Sequence, residues 1–212
     1  MGTLTDFPKA VLFDRDGTLI EDVPYNGDPS LVRPMPDAAQ VVARLRAAGI
    51  RCAVVSNQSG IARGLLTRSQ VDAVNQRVDE LLGPFDAWMV CPHGPGDGCR
   101  CRKPAPGMVL QACRELGVDP AEAAVIGDIG ADMDAAAAAG ARAVLVPTPV
   151  TRRAEIEAAA LVAPDLTGAL ALLGDLALPG DVPLPRDLPG TLPDSPAGAR
   201  AHAATPTAGG RA

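Results

Sequence analysis

Short apolar runs alternate with segments of helical periodicity through most of this chain, and four of the helical segments are followed by glycine. Ala10 to Phe13, Cys52 to Val55, Trp88 to Val90, Ala124 to Ile126 and Ala143 to Val146 are brief and rich in β-branched or small apolar residues, the pattern of strands covered on both faces. Between them the periodicity predicts helices over Asp37 to Ala48, Arg68 to Leu82, Pro106 to Leu116 and Asp132 to Ala139. Gly49, Gly83, Gly117 and Gly140 come next, where a left-handed residue is expected to close each helix. Strand alternating with helix implies an α/β fold, a doubly wound, mainly parallel, Rossmann-like sheet with helices on both faces.

The folded part of the rhythm runs from Phe7 to Gly174, a single-domain length. From Asp175 onward the composition turns to Pro, Gly, Ala and Thr without periodicity, so residues 175–212 are expected to form a disordered tail. Aromatic residues are only 2% of the chain, so the core must be built from Val, Leu, Ile and Ala. A formal charge of -6 with scattered Lys and Arg speaks against a nucleic-acid partner. It leaves room for a small phosphorylated substrate, which needs only a few local cations and N–H groups. No apolar run approaches the ~20 residues of a membrane span, and Met1 to Phe7 lacks a basic region followed by an apolar one. The expectation is a cytoplasmic monomer without a membrane contact.

Asp14, Ser56, Cys91 and Asp128 each fall just after a predicted strand, and open parallel sheets bind ligands beyond the carboxyl ends of their strands. Asp14-Arg-Asp16-Gly-Thr18 sets two carboxylates two residues apart with a glycine to turn the backbone. An ionised Asp14 can attack phosphorus, while Asp16 protonates the leaving alcohol and later deprotonates water. Adjacent carboxylates repel one another and a phosphate, so a hard cation such as Mg²⁺ is called for, and Asp128 can supply a further oxygen. Ser56 and Asn57 offer a hydroxyl and turn N–H groups to phosphoryl oxygens, and Lys103 offers a fixed positive charge. Each motif alone also describes a solvated turn, a cap or a surface lysine. Asp132-Met-Asp134 is a second acidic pair, set aside as a metal site because it lies in a predicted helix. No P-loop occurs, which favours hydrolysis over transfer from a nucleotide.

Cys91-Pro-His93-Gly-Pro-Gly-Asp-Gly-Cys99-Arg-Cys101 gathers three thiols and an imidazole in a Gly- and Pro-rich loop, a ligand set that suits a closed, structural Zn²⁺ site. Unpaired thiols and a disulfide are the alternatives, the latter disfavoured by the cytoplasmic reading. Cys52 and Cys113, in a predicted strand and helix, read as buried apolar residues, and the other histidine, His202, lies in the tail. Arg102-Lys103-Pro104 follows the last ligand directly, so a metal here would fix the loop that presents Lys103.

The ordered set Asp-x-Asp-Gly-Thr, Ser56, Lys103 and Gly127-Asp128 resembles the haloacid dehalogenase superfamily of phosphohydrolases. The resemblance implies an aspartyl-phosphate at Asp14, acid/base work by Asp16, phosphate binding by Ser56 and Lys103, and magnesium held by Asp14, Asp128 and the backbone carbonyl of Asp16. The Cys-Pro-His and Cys-x-Cys-Arg-Lys-Pro stretches, with Ser56-Asn-Gln-Ser-Gly-Ile-Ala-Arg-Gly64, look like the D-glycero-D-manno-heptose 1,7-bisphosphate phosphatases and the related histidinol-phosphate phosphatases. Two departures touch the substrate side: Ile129 stands where the heptose enzymes often have Lys, and the stretch between His93 and Cys99 is short.

Only about ten residues separate Ser56 from the next helical segment, and Glu21 to Pro36 is too short for a domain, so the enzyme is expected to be capless. Discrimination then falls to Tyr25, Asn26, Gln58, Arg63 and Arg102, with Arg63 and Arg102 able to grip a second phosphate or a carboxylate. The leading expectation is a sugar-bisphosphate phosphatase, with histidinol phosphate or another small phosphomonoester as runner-up. A polynucleotide end-phosphatase and a catalytically silent zinc-stabilised binding domain are the more distant alternatives.

Overall fold

The computed structural model describes residues 7–174, and the expected tail at 175–212 lies outside them. Five strands form one sheet: β1 (Ala10–Phe13), β2 (Arg51–Asn57), β3 (Ala87–Cys91), β4 (Ala123–Gly127) and β5 (Arg142–Leu145). Every pairing is parallel and the order is β3-β2-β1-β4-β5. Helices α1 (Ala38–Ala47), α2 (Arg68–Leu82), α3 (Gly107–Leu116) and α4 (Gly130–Ala139) match the periodic segments to within two residues at each end. Two shorter helices, α5 (Arg153–Ala158) and α6 (Leu166–Leu173), were not expected.

The pleat of β1 shows how the two layers arise. Val11 and Phe13 point into one core with α1, α2 and α6, where Val41, Val42, Leu45, Val74, Val78 and Leu170 close over the sheet. Ala10 and Leu12 point the other way, under Met108, Val109 and Ala112 of α3 and Ala135 of α4. All four residues of β1 are wholly buried, which is why the strand has no polar face to read. Aliphatic packing dominates as the composition required; the aromatic contribution is an edge-on run from Phe13 to Phe85 to Trp88.

Helix ends follow local chemistry. Thr67 and Gln70 close a capping box at the start of α2. Gly49, Gly117 and Gly140 take the left-handed conformation expected of them. Gly83 does not: its φ is -106°. A Cβ there would stand 2.8 Å from the backbone nitrogen of Phe85, so the glycine is required by a close approach rather than by handedness.

The chain from Asp14 to Asp37 is a loop containing one 3₁₀ turn at Pro29–Leu31, and ten residues join β2 to α2, so among the described residues no cap domain stands over the sheet. No helix among them is long and apolar enough to cross a membrane.

Candidate active site

Strand order places β1 between β2 and β4, with the chain winding outward through β3 on one side and β5 on the other. The cleft beyond the carboxyl ends of β1 and β4 is therefore the topological switch point, where a parallel sheet leaves room for a ligand. Asp14 follows β1, Ser56 and Asn57 end β2, Cys91 ends β3 and Asp128 follows β4.

Asp14, Asp128 and Asp132 each bring a carboxylate oxygen into one group in which all lie within 4.8 Å of one another. Lys103 Nζ stands 2.5 Å from Asp14 Oδ1 and 2.5 Å from Asp132 Oδ1. It also donates to the Val55 carbonyl at 2.7 Å. Burial pushes the Asp14 carboxyl up to about 8; the Lys103 ammonium opposes this, and Asp132, Asp16 and Asp128 reinforce it. Asp128 is pushed up to about 7, by burial first and then by Asp132. Burial alone would lower Lys103, but Asp132 and Asp14 reverse that and hold it above its ordinary value.

Three carboxylates against one ammonium leave a formal charge of about -2 in a pocket built of oxygen donors. A hard divalent cation such as Mg²⁺ fits that donor set, in which Lys103 engages one oxygen each of Asp14 and Asp132. Gly17 makes the approach possible. At φ +85°, with a Cβ that would fall 2.5 Å from Asp128 Oδ2, the position admits only hydrogen.

Asp132 is a site residue that the sequence reading set aside. The helix begins at Gly130, two residues earlier than the periodicity suggested, so Asp132 sits in the first turn of α4 with its Oδ2 accepting from the Ile129 N–H at 3.3 Å. The usable signal was the four-residue spacing from Asp128, which turns a first-turn acid back toward the strand end.

The Asp16 carboxylate stays outside this group. Its Oδ2 accepts from Gln58 Nε2 at 2.7 Å and from Arg15 Nη2 at 2.9 Å, and Arg15 Nε reaches both oxygens at 3.1 Å. Gln58 Nε2 also donates to Ser56 Oγ at 2.8 Å, joining the Ser56 strand end to Asp16. A cleft of about 250 Å³ opens beside them, lined by Arg15, Asp16, Tyr25, Asn57, Gln58 and Gly60 among others.

Asn57 lines the cleft and also holds the loop that carries Lys103. Its Nδ2 donates to the Lys103 carbonyl and its Oδ1 accepts from the Lys103 N–H, both at 3.1 Å, so the side chain clamps the lysine's backbone. Arg102 spends one donor on the His93 carbonyl at 3.3 Å, bracing the cysteine loop. Arg63 donates to the Tyr25 hydroxyl at 2.7 Å with its guanidinium over the tyrosine ring.

Cys91, His93, Cys99 and Cys101 converge at the end of β3. The Cys91 sulfur lies 3.7 Å from that of Cys99 and 3.3 Å from that of Cys101; His93 Nδ1 lies 3.6 Å from Cys91 and 3.3 Å from Cys101. A tetrahedral zinc with ordinary bond lengths has S···S edges of about 3.8 Å and S···N edges of about 3.6 Å, so the four atoms are spaced as its ligands. The sulfurs are too far apart for a disulfide, and all five cysteines of the chain are free. Burial, ahead of the neighbouring thiols, pushes the Cys91 thiol up to about 12, so a cation is what would draw its proton away. The loop also leans on the β2 end, where the Gln58 N–H donates to the Cys91 carbonyl at 2.8 Å. Cys52 and Cys113 are buried in the core, as expected.

Residues 25–140 match the family model described as haloacid dehalogenase-like hydrolase, a span that holds Ser56, the cysteine loop, Lys103 and Asp128. A D-glycero-beta-D-manno-heptose-1,7-bisphosphate 7-phosphatase of Bordetella bronchiseptica is 39% identical over 145 residues, covering 66% of this chain and 81% of that protein. The crystal structure of D,D-heptose 1,7-bisphosphate phosphatase from B. bronchiseptica, complexed with magnesium and phosphate, superposes with a TM-score of 0.68 at 34% identity, covering 77% of this chain and 97% of that one. The corresponding phosphatase from Burkholderia thailandensis gives a TM-score of 0.54 at 26% identity, covering 76% and 96%.

Proposed function

The chain belongs to the haloacid dehalogenase-like hydrolase family and is a phosphatase, and on that premise we propose that it hydrolyses a sugar bisphosphate, of the D-glycero-D-manno-heptose 1,7-bisphosphate type, through an aspartyl-phosphate on Asp14. The observation that carries this reading is the pairing of Asp14 with Lys103 inside a group of three buried carboxylates. That arrangement supports an anionic nucleophile beside a fixed positive charge. The names of the relatives support the sugar.

Asp14 Oδ forms a bond to phosphorus as the ester oxygen leaves, and Asp16 delivers a proton to that oxygen. Water then attacks the acyl phosphate, Asp16 takes its proton, and inorganic phosphate departs with Asp14 regenerated. Lys103 balances charge on the phosphoryl oxygens throughout. Ser56 Oγ is the further group we assign to one of them. Asp14, Asp128 and the Asp16 backbone carbonyl would hold magnesium, which would supply charge neutralisation and alignment of the phosphate.

Zinc on Cys91, His93, Cys99 and Cys101 has a structural part, since all four ligand positions come from protein and none is open. Thiols kept free for it suit a reducing, cytoplasmic setting, and the acidic chain suits a monomer with no nucleic-acid partner. Arg102 and the Tyr25–Arg63 pair are the candidates for reading the rest of the substrate.

The test is a magnesium-dependent phosphate-release panel of heptose 1,7-bisphosphate in both anomers, hexose bisphosphates, histidinol phosphate and a 3′-phosphorylated oligonucleotide. The heptose bisphosphate should give the highest kcat/KM, and Asp14→Asn should lose at least about a thousandfold. Preference for histidinol phosphate would replace the sugar reading, and equal rates for Asp14→Asn would remove the nucleophile.

A further inference from the structure

Arg15 is the largest side chain of the core with almost no exposure, 1%, and an arginine cannot shed its charge when buried. Its donors are divided between two partners. Nε and Nη2 face the Asp16 carboxylate, and Nη1 donates to Asn75 Oδ1 at 2.7 Å. Because a guanidinium is planar, holding one Nη fixes the plane of the fork, and with it the direction from which Asp16 is gripped. Asn75 lies sixty residues away on α2, buried among Val71, Val74, Val78 and Leu82, where it is the single polar residue of the helix's buried face.

We propose that Asn75, which stands behind the active-site cleft, is a positioning residue for proton transfer: it sets the rotation of Arg15, and Arg15 with Gln58 aims the Asp16 carboxylate at the leaving oxygen. The chain of contacts runs from α2 through the core to the turn after β1, so packing of that helix is transmitted to one carboxylate. Arg15 borders the cleft, whereas Asn75 is not among the lining residues, so a change at Asn75 isolates the indirect effect. The inference rests on the reading that Asp16 serves the leaving group.

A phenolate with a strongly electron-withdrawing substituent departs without a proton, whereas an alkoxide needs one. The alkyl substrate turned over best in the panel above and 4-nitrophenyl phosphate are therefore compared by kcat/KM, which reports the phosphorylation step, in wild type, Asn75→Ala, Asn75→Asp and Asp16→Asn. Asn75→Ala should lose about tenfold or more on the alkyl ester beyond any loss on the aryl ester, and Asn75→Asp, which keeps an acceptor at the same reach, should recover most of it. Equal losses on both esters, no loss on either, or no recovery with Asn75→Asp would reduce Asn75 to filling space and overturn the proposal. If Asn75→Ala does not fold, Asn75→Ser, too short to reach Arg15, is read in its place. Asp16→Asn separates the two ideas: an unselective loss there removes Asp16 from leaving-group protonation, whereas a selective loss there with none at Asn75 removes only the link through Arg15.

Discussion

Lys103 Nζ and Asp132 Oδ1 lie 2.5 Å apart with both side chains shut off from solvent. With this partner the buried lysine stays charged without relying on Asp14 alone, although it touches Asp14 as well. Removing one partner of a buried ion pair typically costs about 3–5 kcal/mol, because the other charge is stranded. Lys103 keeps Asp14 and the Val55 carbonyl, so Asp132→Asn should destabilise the fold by less than that, roughly 1–3 kcal/mol, and depress activity, whereas Asp134→Asn, on the exposed side of the same helix, should change stability by less than about 0.5 kcal/mol. Chemical denaturation of the two variants side by side checks this.

The raised carboxyls give a sign to the effect of pH. Asp14 and Asp128 have folded values of about 8 and about 7 against an unfolded value of 3.8. Folding without a divalent cation thus favours their protonated forms, so the stability contributed is complete below 3.8 and is lost as pH climbs toward 8. Magnesium competes with those protons, so the rise in Tm on adding it should be larger at about pH 8 than at about pH 6. A Tm increment independent of pH would mean that the cation sits elsewhere.

Stripping the zinc should lower Tm and activity together, since Arg102 and Lys103 continue directly from Cys101 and Asn57 grips the lysine backbone from the neighbouring strand. The assay requires removal of zinc by a chelator followed by dialysis into magnesium, with metal content measured on the same sample. Full activity in zinc-free protein would uncouple the loop from the chemistry.

Gly17→Ala should cost roughly 2 kcal/mol or more, from the left-handed backbone and from a methyl group that displaces the Asp128 carboxylate, and should bind magnesium more weakly. Titration of activity against magnesium should show a higher half-saturating concentration, and thermal denaturation a lowered Tm.

The strands and four long helices were legible because strands buried on both faces leave continuous apolar runs, and because α2 carries a true 3.6-residue stripe with a capping box. Helices α5 and α6 escaped for different reasons. Six residues of α5, none of them buried, give no stripe to see, while α6 is apolar nearly all round and abuts the Pro- and Gly-rich composition that follows. Among candidate site residues, Asp14, Ser56, Cys91 and Asp128 announced themselves by falling at strand ends, and His93, Cys99, Cys101 and Lys103 by their spacing in the loop that follows β3. Asp132 and Asn75 did not, since a polar residue in a helix looks solvated until the packing shows which way it faces. In Asn75 the hint was its place between Val74 and Val78 on an otherwise apolar face.

The segment between His93 and Cys99 is exposed from Pro95 to Gly98 and is held at both ends by residues that converge on the same four-ligand site. Such a loop behaves like a handle bolted at two points: its length and composition can be exchanged without shifting the shelf that carries Lys103. None of residues 95–98 supplies a ligand atom, so this stretch is where the loop can vary while the four converging side chains and the Lys103 backbone keep their places.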